Sequence, residues 1–339
     1  MSAHLQDTLA RPMADLRISV TDRCNFRCTF CMPADRKYHF LPKPEILSFE
    51  EITRLARLCL GLGVEKIRLT GGEPLLRSEL EHLIASLAAL EGLQDLALTT
   101  NAYLLPKKAE LLREAGLQRV TVSLHSLDPV TFGRLSGLGI DLERVLEGIR
   151  AAVQAGLTPV KLNVVTMLGV NDHEVVDLAR FGREHGCVVR FIEYMDVGTV
   201  NAWDPSKVVS AQEIVDRIDK VFPVVPVDKR RPGDVAGRYR YADGGGEIGV
   251  IPSVTQPFCG DCSRVRLSAE GKLYTCLFAA VGHDLRSLLR DGASDDELRD
   301  VLRGIWRART DRYSEERTAA LRSGRFVPAE KIEMFRIGG

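Results

Sequence analysis

The sequence carries no excess of either charge, no apolar leader, and no apolar run long enough to cross a bilayer. Lys+Arg and Asp+Glu both number 46 among 339 residues, so no overall field draws the chain to nucleic acid or a membrane surface. Residues 1–12 lack the apolar core of a secretory signal. No segment approaches the roughly 20 apolar residues of a spanning helix. These absences predict a soluble, cytoplasmic protein. Low-complexity tracts are missing too, and the only repeat is a short supersecondary unit. What is present is a hydrophobic fraction of 45%, enough for a sizeable core and too much for wholesale disorder. The length suits one large α/β domain or a domain with an extension. Eight cysteines in a cytoplasmic chain read as metal ligands or buried thiols rather than disulfides.

From Leu16 onward, short β-branched runs alternate with longer helical stretches, the pattern of βα units around a parallel sheet. Strands are expected near 16–20, 65–70, 95–100, 118–124, 158–165 and 187–195. Helices are expected near 48–62, 77–90, 105–115, 141–155 and 172–185. Ser48 and Glu51 have the spacing of a capping box. Gly116, Gly156 and Gly186 each stand where a helix should end before a strand. Six such units predict an α/β fold, a partial, open (β/α)6 TIM-like barrel over 16–198. Residues 1–15 read as a loose N-terminal arm. Residues 199–339 read as a C-terminal extension, with a helix near 211–221 and strand-like pieces at 223–228, 238–242 and 247–251. A hairpin turn is expected at Glu270-Gly271, then helices near 284–291 and 294–308, the second capped by Ser294.

Fully buried parallel strands usually read as continuous apolar runs. These alternate. Leu16, Ile18 and Val20 oppose Arg17 and Ser19; Ile67 and Leu69 oppose Lys66, Arg68 and Thr70. Leu96 and Leu98 oppose Thr99, and Val120, Val122 and Leu124 oppose Thr121, Ser123 and His125. Val160, Leu162 and Val164 oppose Lys161 and Asn163. Each strand therefore has one polar face. With helices over the apolar faces, the polar faces line a shared interior. That interior is rich in Arg and Lys and suits an anionic ligand such as a triphosphate.

The cysteines fall into two groups of three and a remainder. Cys24-x3-Cys28-x2-Cys31 follows the first strand. A cuboidal iron–sulfur cluster normally takes four thiolates, so three leave one iron open to a ligand. A structural zinc loop would more often show paired C-x2-C units and a fourth ligand. Cys259-x2-Cys262-x13-Cys276 is again three. It reads as a second cluster with an open iron, or as a zinc hairpin completed from elsewhere. Cys59 and Cys187 lie in apolar surroundings and read as core thiols.

Cys-x3-Cys-x-aromatic-Cys after a first strand, with Thr70-Gly71-Gly72-Glu73-Pro74 after the second, resembles the radical S-adenosylmethionine superfamily. The stretches 16–28, 66–77, 99–101, 122–128, 161–165 and 190–198, the second cysteine triad and the terminal Gly338-Gly339 resemble the GTP 3′,8-cyclase family over nearly the whole length. The resemblance implies a homodimer with two [4Fe–4S] clusters at opposite ends of one cavity. Cys24, Cys28 and Cys31 would hold the cluster that binds S-adenosylmethionine, and Phe30, Gly72, Glu73, Ser123 and Met195 would meet that cofactor. Cys259, Cys262 and Cys276 would hold the second cluster. Arg17, Arg68, Thr99, Lys161, Arg264, Val265 and Arg266 would bind GTP. The first triad with Arg17, Arg264 and Arg266 would carry the catalysis. Three positions depart from the family's usual residues: Phe30 for Tyr, His125 for Asp and Ser263 for Asn. A lone His near a strand end is more often a hydrogen-bonded structural group than a catalyst, so none is assigned to His125. The strand pattern alone places Arg190 and Met195 on opposite faces unless the strand end bends.

The implied reaction is abstraction of the C3′ hydrogen of GTP by a 5′-deoxyadenosyl radical, then attack of C3′ on C8. It begins molybdenum cofactor synthesis, needs a reducing electron donor, and feeds cyclic pyranopterin monophosphate synthase. A radical S-adenosylmethionine peptide maturase remains a second enzyme reading, although such enzymes usually carry more C-terminal cysteines. A non-enzymatic iron–sulfur redox sensor would need neither the Gly-Gly-Glu-Pro segment nor the basic interior.

Overall fold

The computed structural model describes residues 5–137, 139–229, 231 and 233–338. Six strands alternate with helices in the expected order: β1 (Asp15–Ser19), α1 (Phe49–Leu60), β2 (Lys66–Thr70), α2 (Leu80–Ala88), β3 (Asp95–Thr100), α3 (Ala109–Glu114), β4 (Arg119–Ser123). α4 (Pro129–Ser136), α5 (Leu142–Gln154), β5 (Lys161–Thr166), α6 (Val175–Glu184) and β6 (Val188–Glu193) follow. All six strands pair in parallel, in sequence order, and the sheet is open. The partial barrel expected from the periodicity is therefore present.

Local signals explain the element ends. The Ser48–Glu51 capping box is formed in both directions. Gly116 closes α3 at φ 105°, a left-handed conformation that favours glycine. α4 was not foreseen, yet Asp128 caps it, accepting from Thr131 N at 2.7 Å, with Pro129 at its first position. The expected helix at 77–90 is shorter, because Glu79 stands in a left-handed conformation before Leu80.

The rest of the chain contributes α7 (Ala211–Asp219), β7 (Val224–Val227), β8 (Gly237–Tyr241), β9 (Glu247–Ile251), β10 (Arg264–Leu267), β11 (Lys272–Tyr274) and β12 (His283–Asp284). It ends in α8 (Arg286–Arg290), α9 (Asp295–Arg307), α10 (Tyr313–Arg322) and α11 (Met334–Ile337). Its strands do not form a sheet of their own. β9 pairs in parallel with β6, and β10 pairs in parallel with β1. The six-strand barrel is thus extended at both edges, in the order β12-β11-β10-β1-β2-β3-β4-β5-β6-β9-β8-β7. Antiparallel β8 and β7 protect one edge; β11 and β12 protect the other. The turn at Glu270-Gly271 joins β10 and β11, with Gly271 at φ 81°.

The strand alternation is resolved as expected. Leu16, Ile18, Ile67, Leu69, Leu98, Val120, Val122, Leu162 and Val164 lie fully buried in one core with the inner faces of the helices. Cys59 and Cys187 belong to that core as free thiols. The N-terminal segment corrects its expectation. From residue 5 onward it is packed down: Asp7 and Arg11 are buried, and the chain pairs with itself at Gln6 and Pro12. The Asp7–Arg11 pair is local, four residues apart, but Arg11 also donates to the carbonyl oxygens of Cys259 and Asp311, and these long-range contacts, which composition does not announce, hold the segment down.

Candidate active site

The polar strand faces and the loops at the strand ends enclose one large cavity, and both cysteine triads open into it. Cys24, Cys28 and Cys31 follow β1, while Cys259 and Cys262 precede β10 and Cys276 follows β11. β1 and β10 are neighbours, so a triad far away in sequence is brought against the first strand.

The register decides the electrostatics. Arg266, Arg17 and Arg68 stand directly beside one another on three adjacent strands. Neighbouring strands lie about 4.8 Å apart, where like charges oppose folding unless something offsets them. Burial, with the neighbouring guanidiniums adding to it, pushes Arg68 and Arg266 well below the ordinary arginine range. Burial and an Arg264 charge also lower Arg17, against Asp15. Nε atoms of Arg17, Arg68 and Arg190 are buried without a partner. Arg68 Nη1 donates to Thr99 Oγ1 at 3.1 Å and Thr121 Oγ1 at 2.9 Å, and Arg190 reaches Thr121 Oγ1 at 3.3 Å. Orphaned guanidinium N–H groups around a cavity fit a polyanion.

Lys66 is partly neutralised by Asp15 at 2.8 Å, and burial brings it to about 8. Lys161 shares the polar strand face but, like Lys66, does not line the cavity. It starts β5 near Arg190, Arg119 and Arg68, and burial with these charges lowers it to about 6. Val265, between Arg264 and Arg266, takes the opposite face with its side chain fully buried opposite Leu16, which leaves only its backbone to meet a ligand in the cavity. Arg190 and Met195 both line the cavity, because β6 ends at Glu193 and the chain turns.

The first triad sits on the Gly71-Gly72 segment. Gly72 N donates to Thr21 O and Glu73 N to Arg23 O, each at 2.8 Å. A Cβ on Gly72 would lie 2.3 Å from Arg23 O, and one on Gly71 would lie 2.4 Å from Thr21 O. The glycines therefore admit the backbone of the cysteine loop itself, not only a ligand. The Glu73 carboxylate is buried and accepts from Thr100 Oγ1 at 2.7 Å and Asn101 N at 2.8 Å, while burial lifts it to about 7. Phe30, Gly72, Glu73, Ser123 and Met195 all line the cavity beside this triad. His125 packs edge-on against Phe30 at 4.8 Å, and its Nδ1 accepts from Val165 N at 3.2 Å. Burial lowers it to about 4, so the ring is neutral near physiological pH.

The two triads differ in their surroundings. Burial raises Cys24, Cys28 and Cys31, which makes them poor thiolates until a cation joins them. Burial also opposes ionisation of Cys262, but Arg264 and Arg309 outweigh it and bring the thiol down to about 6. Arg264 donates to Cys262 Sγ from Nε at 3.3 Å and Nη2 at 3.2 Å. Three free cysteines at each end, and basic donors at the second, fit cluster ligation. No described group of histidine, cysteine and carboxylate side chains converges on a position for a single metal ion. The chain end also enters: Met334 and Phe335 line the cavity and Arg266 Nη1 donates to Gly338 O. Gly339 lies outside the described residues.

Sequence reasoning missed Arg11, Asn101, Asn163 and Arg309, which line the cavity. Asn163 was visible on a polar face and Asn101 ended a recognised stretch. Arg11 and Arg309 had no local signal, since long-range packing alone brings them in.

Residues 18–182 match the model of the radical SAM superfamily, and residues 187–315 match that of Molybdenum Cofactor Synthesis C. A GTP 3′,8-cyclase of Acidothermus cellulolyticus is 55% identical, over 94% of this chain and 90% of that protein. Those of Xanthomonas axonopodis pv. citri and Aquifex aeolicus are 49% and 50% identical, over 100% and 99% of this chain and 100% of each protein. Among solved structures, Streptococcus suis SuiB bound to S-adenosylmethionine shares the fold. Its TM-score is 0.59 at 16% identity, over 89% of this chain and 69% of that one. With relatives this similar over nearly its whole length, a radical SAM segment at one end and a molybdenum cofactor synthesis segment at the other, the chain belongs to the GTP 3′,8-cyclase family.

Proposed function

We propose that this chain converts GTP to (8S)-3′,8-cyclo-7,8-dihydroguanosine 5′-triphosphate, the first step of molybdopterin biosynthesis. The observation that carries the reading is the row Arg266–Arg17–Arg68 running between two cysteine triads in one cavity. Cys24, Cys28 and Cys31 would hold a [4Fe–4S] cluster, and Cys259, Cys262 and Cys276 a second one. The first cluster with S-adenosylmethionine supplies one-electron chemistry that makes a carbon radical. Everything else is positioning. Gly72 holds the cysteine loop by backbone contact, and Phe30, Ser123 and Met195 wall the cofactor end. Arg17, Arg68 and Arg266 clamp the triphosphate, with Arg190 adding charge from the cavity wall and Lys66 and Lys161 from the first positions of β2 and β5. A clamped triphosphate fixes the ribose between the triads, and fixed geometry is worth several kcal/mol of the barrier, on the order of 7–11 at best. Arg264, against Cys262 Sγ, ties the guanine end to the second triad.

The reading carries further expectations: a homodimer, a reducing electron donor, cyclic pyranopterin monophosphate synthase downstream, and a cytoplasmic location. Among the described residues no helix is long and apolar enough to cross a membrane. The decisive experiment uses anaerobically reconstituted, reduced protein with S-adenosylmethionine. Formation of 5′-deoxyadenosine should depend on GTP, and turnover without GTP at the same rate overturns the cyclase reading. Iron and sulfide analysis should show two clusters, and zinc at the second triad would overturn the two-cluster assignment.

A further inference from the structure

The N-terminal segment places a guanidinium at the second triad that nothing above uses. Arg11 is 1% exposed and lines the cavity. Its Nε donates to Asp7 Oδ2 at 2.6 Å. Its Nη1 donates to the carbonyl oxygens of Cys259 at 2.9 Å and Asp311 at 2.8 Å. Its Nη2 is buried and has no partner. Arg309 comes from the other side, after α9. Its Nη1 donates to Cys262 O at 2.7 Å and to Asp7 Oδ2 at 3.4 Å, and its guanidinium lies 4.6 Å from the Trp306 ring centre. Trp306 Nε1 closes the circuit by donating to Arg11 O at 3.2 Å. One buried carboxylate thus holds two guanidiniums, and each grips the backbone carbonyl of one cysteine of Cys259-x2-Cys262. A buried donor left unpaired is costly, and a charged one more so, unless a ligand takes it.

We propose that Arg11 and Arg309 are positioning residues of the second iron–sulfur site. They fix the Cys259–Cys262 turn from its backbone side, and Arg11 offers its free Nη2–H to sulfur of the bound cluster. The proposal rests on reading this triad as a cluster site. Two consequences follow from the chemistry. A fixed turn binds iron more tightly, as outer partners of metal ligands generally ensure. An N–H···S donor and a nearby positive charge stabilise the reduced cluster and raise its reduction potential.

The test uses full-length protein in which Cys24, Cys28 and Cys31 are alanine, so that only the second site is loaded. This parent is compared, after anaerobic reconstitution, with Arg11→Met, Arg11→Lys and the pair Asp7→Asn/Arg11→Met. The pair removes one charge of each sign and leaves Arg309 its contacts with Asp311 and Cys262 O, should the single variant fail to fold. Two measurements are made on folded protein: retention of iron against a chelator, and the midpoint potential by EPR-monitored titration. The expected result is roughly 10–100-fold weaker retention and a more negative midpoint in both methionine forms. Arg11→Lys should restore much of the midpoint while retention stays weakened, because lysine keeps the charge without the forked grip. Parent-like retention and midpoint in the folded pair variant overturn the proposal, whatever happens to thermal stability. A parent that takes up no iron overturns the cluster reading beneath it, which is a different and distinguishable failure.

Discussion

At the scale of single residues, the interior is set for a ligand it has to be paid in charge by. Lys161, at about 6 where an ordinary lysine lies at 10.5, is mostly neutral near neutral pH in the empty protein. A triphosphate favours its charged form, so binding should take up protons, and affinity should fall as pH rises above about 6. The sign for stability is the mirror image. The empty fold binds fewer protons than the unfolded chain across this window, so it gains stability as pH rises from about 6 toward the ordinary lysine value. Calorimetric titration of GTP in buffers of differing ionisation enthalpy, near pH 7.5, checks the uptake. Lys161→Met should remove much of it, although Lys66 at about 8 retains a share. A pH-independent affinity from about 6 to 9 would contradict this account. Val265 shows the limit of reading residues singly: its neighbours face the cavity, and the pleat turns it away.

At the scale of elements, the cysteine loop and the Gly-Gly turn are one unit. Gly72→Ala puts a methyl group 2.3 Å from Arg23 O, on backbone that cannot swing aside as a side chain would. The expected outcome is a loss of about 1–3 kcal/mol in stability and a displaced first triad. Iron analysis should find the second site loaded and the first depleted, and S-adenosylmethionine binding should fall with the latter. A variant that loads both sites equally would show that the close contact does not position the loop. The α1 cap gives a contrasting case. Ser48→Ala removes the acceptor for Glu51 N and should cost about 1 kcal/mol in chemical denaturation, with cluster content unchanged. The capping box, the glycine stops and the alternating strands were all legible, because each depends on residues within a few positions of one another. The same locality made α4 readable in retrospect from Asp128-Pro129.

At the scale of the whole molecule, buried carboxylates tie the C-terminal part to the barrel. Asp196, just past β6, accepts from Tyr313 OH, Arg317 Nη1 and Lys331 Nζ. Arg317 also donates to Ser253 O. Glu193, at the end of β6, accepts from Ala211 N and Val254 N, both at 2.7 Å, and so fastens α7 and the chain leading to Cys259. Asp196→Asn leaves Arg317 and Lys331 buried without their counter-ion. It should cost about 3–5 kcal/mol, seen as a lower denaturation midpoint, with the C-terminal segment becoming the first to exchange its amide hydrogens. Unchanged stability would mean that the other polar contacts of α10, such as Thr318 Oγ1 donating to Val254 O, hold that segment without Asp196.

The sequence by itself determined the chemistry and the local order. Cysteine spacing, glycines beside it, and a period of two along each strand marked the candidate ligands, the turn and the polar interior, since all three are short-range patterns. What only the tertiary structure decided was adjacency. That β10 pairs with β1, so that Arg266 stands beside Arg17 and Arg68 and the second triad shares a cavity with the first, depends on strand pairing across some 250 residues. Burial of Arg11 and Arg309 behind Cys259 and Cys262 depends on the same packing. Such contacts have no period and no local spacing, because taking charges out of water is costly and only the folded chain brings together the partners that offset that cost.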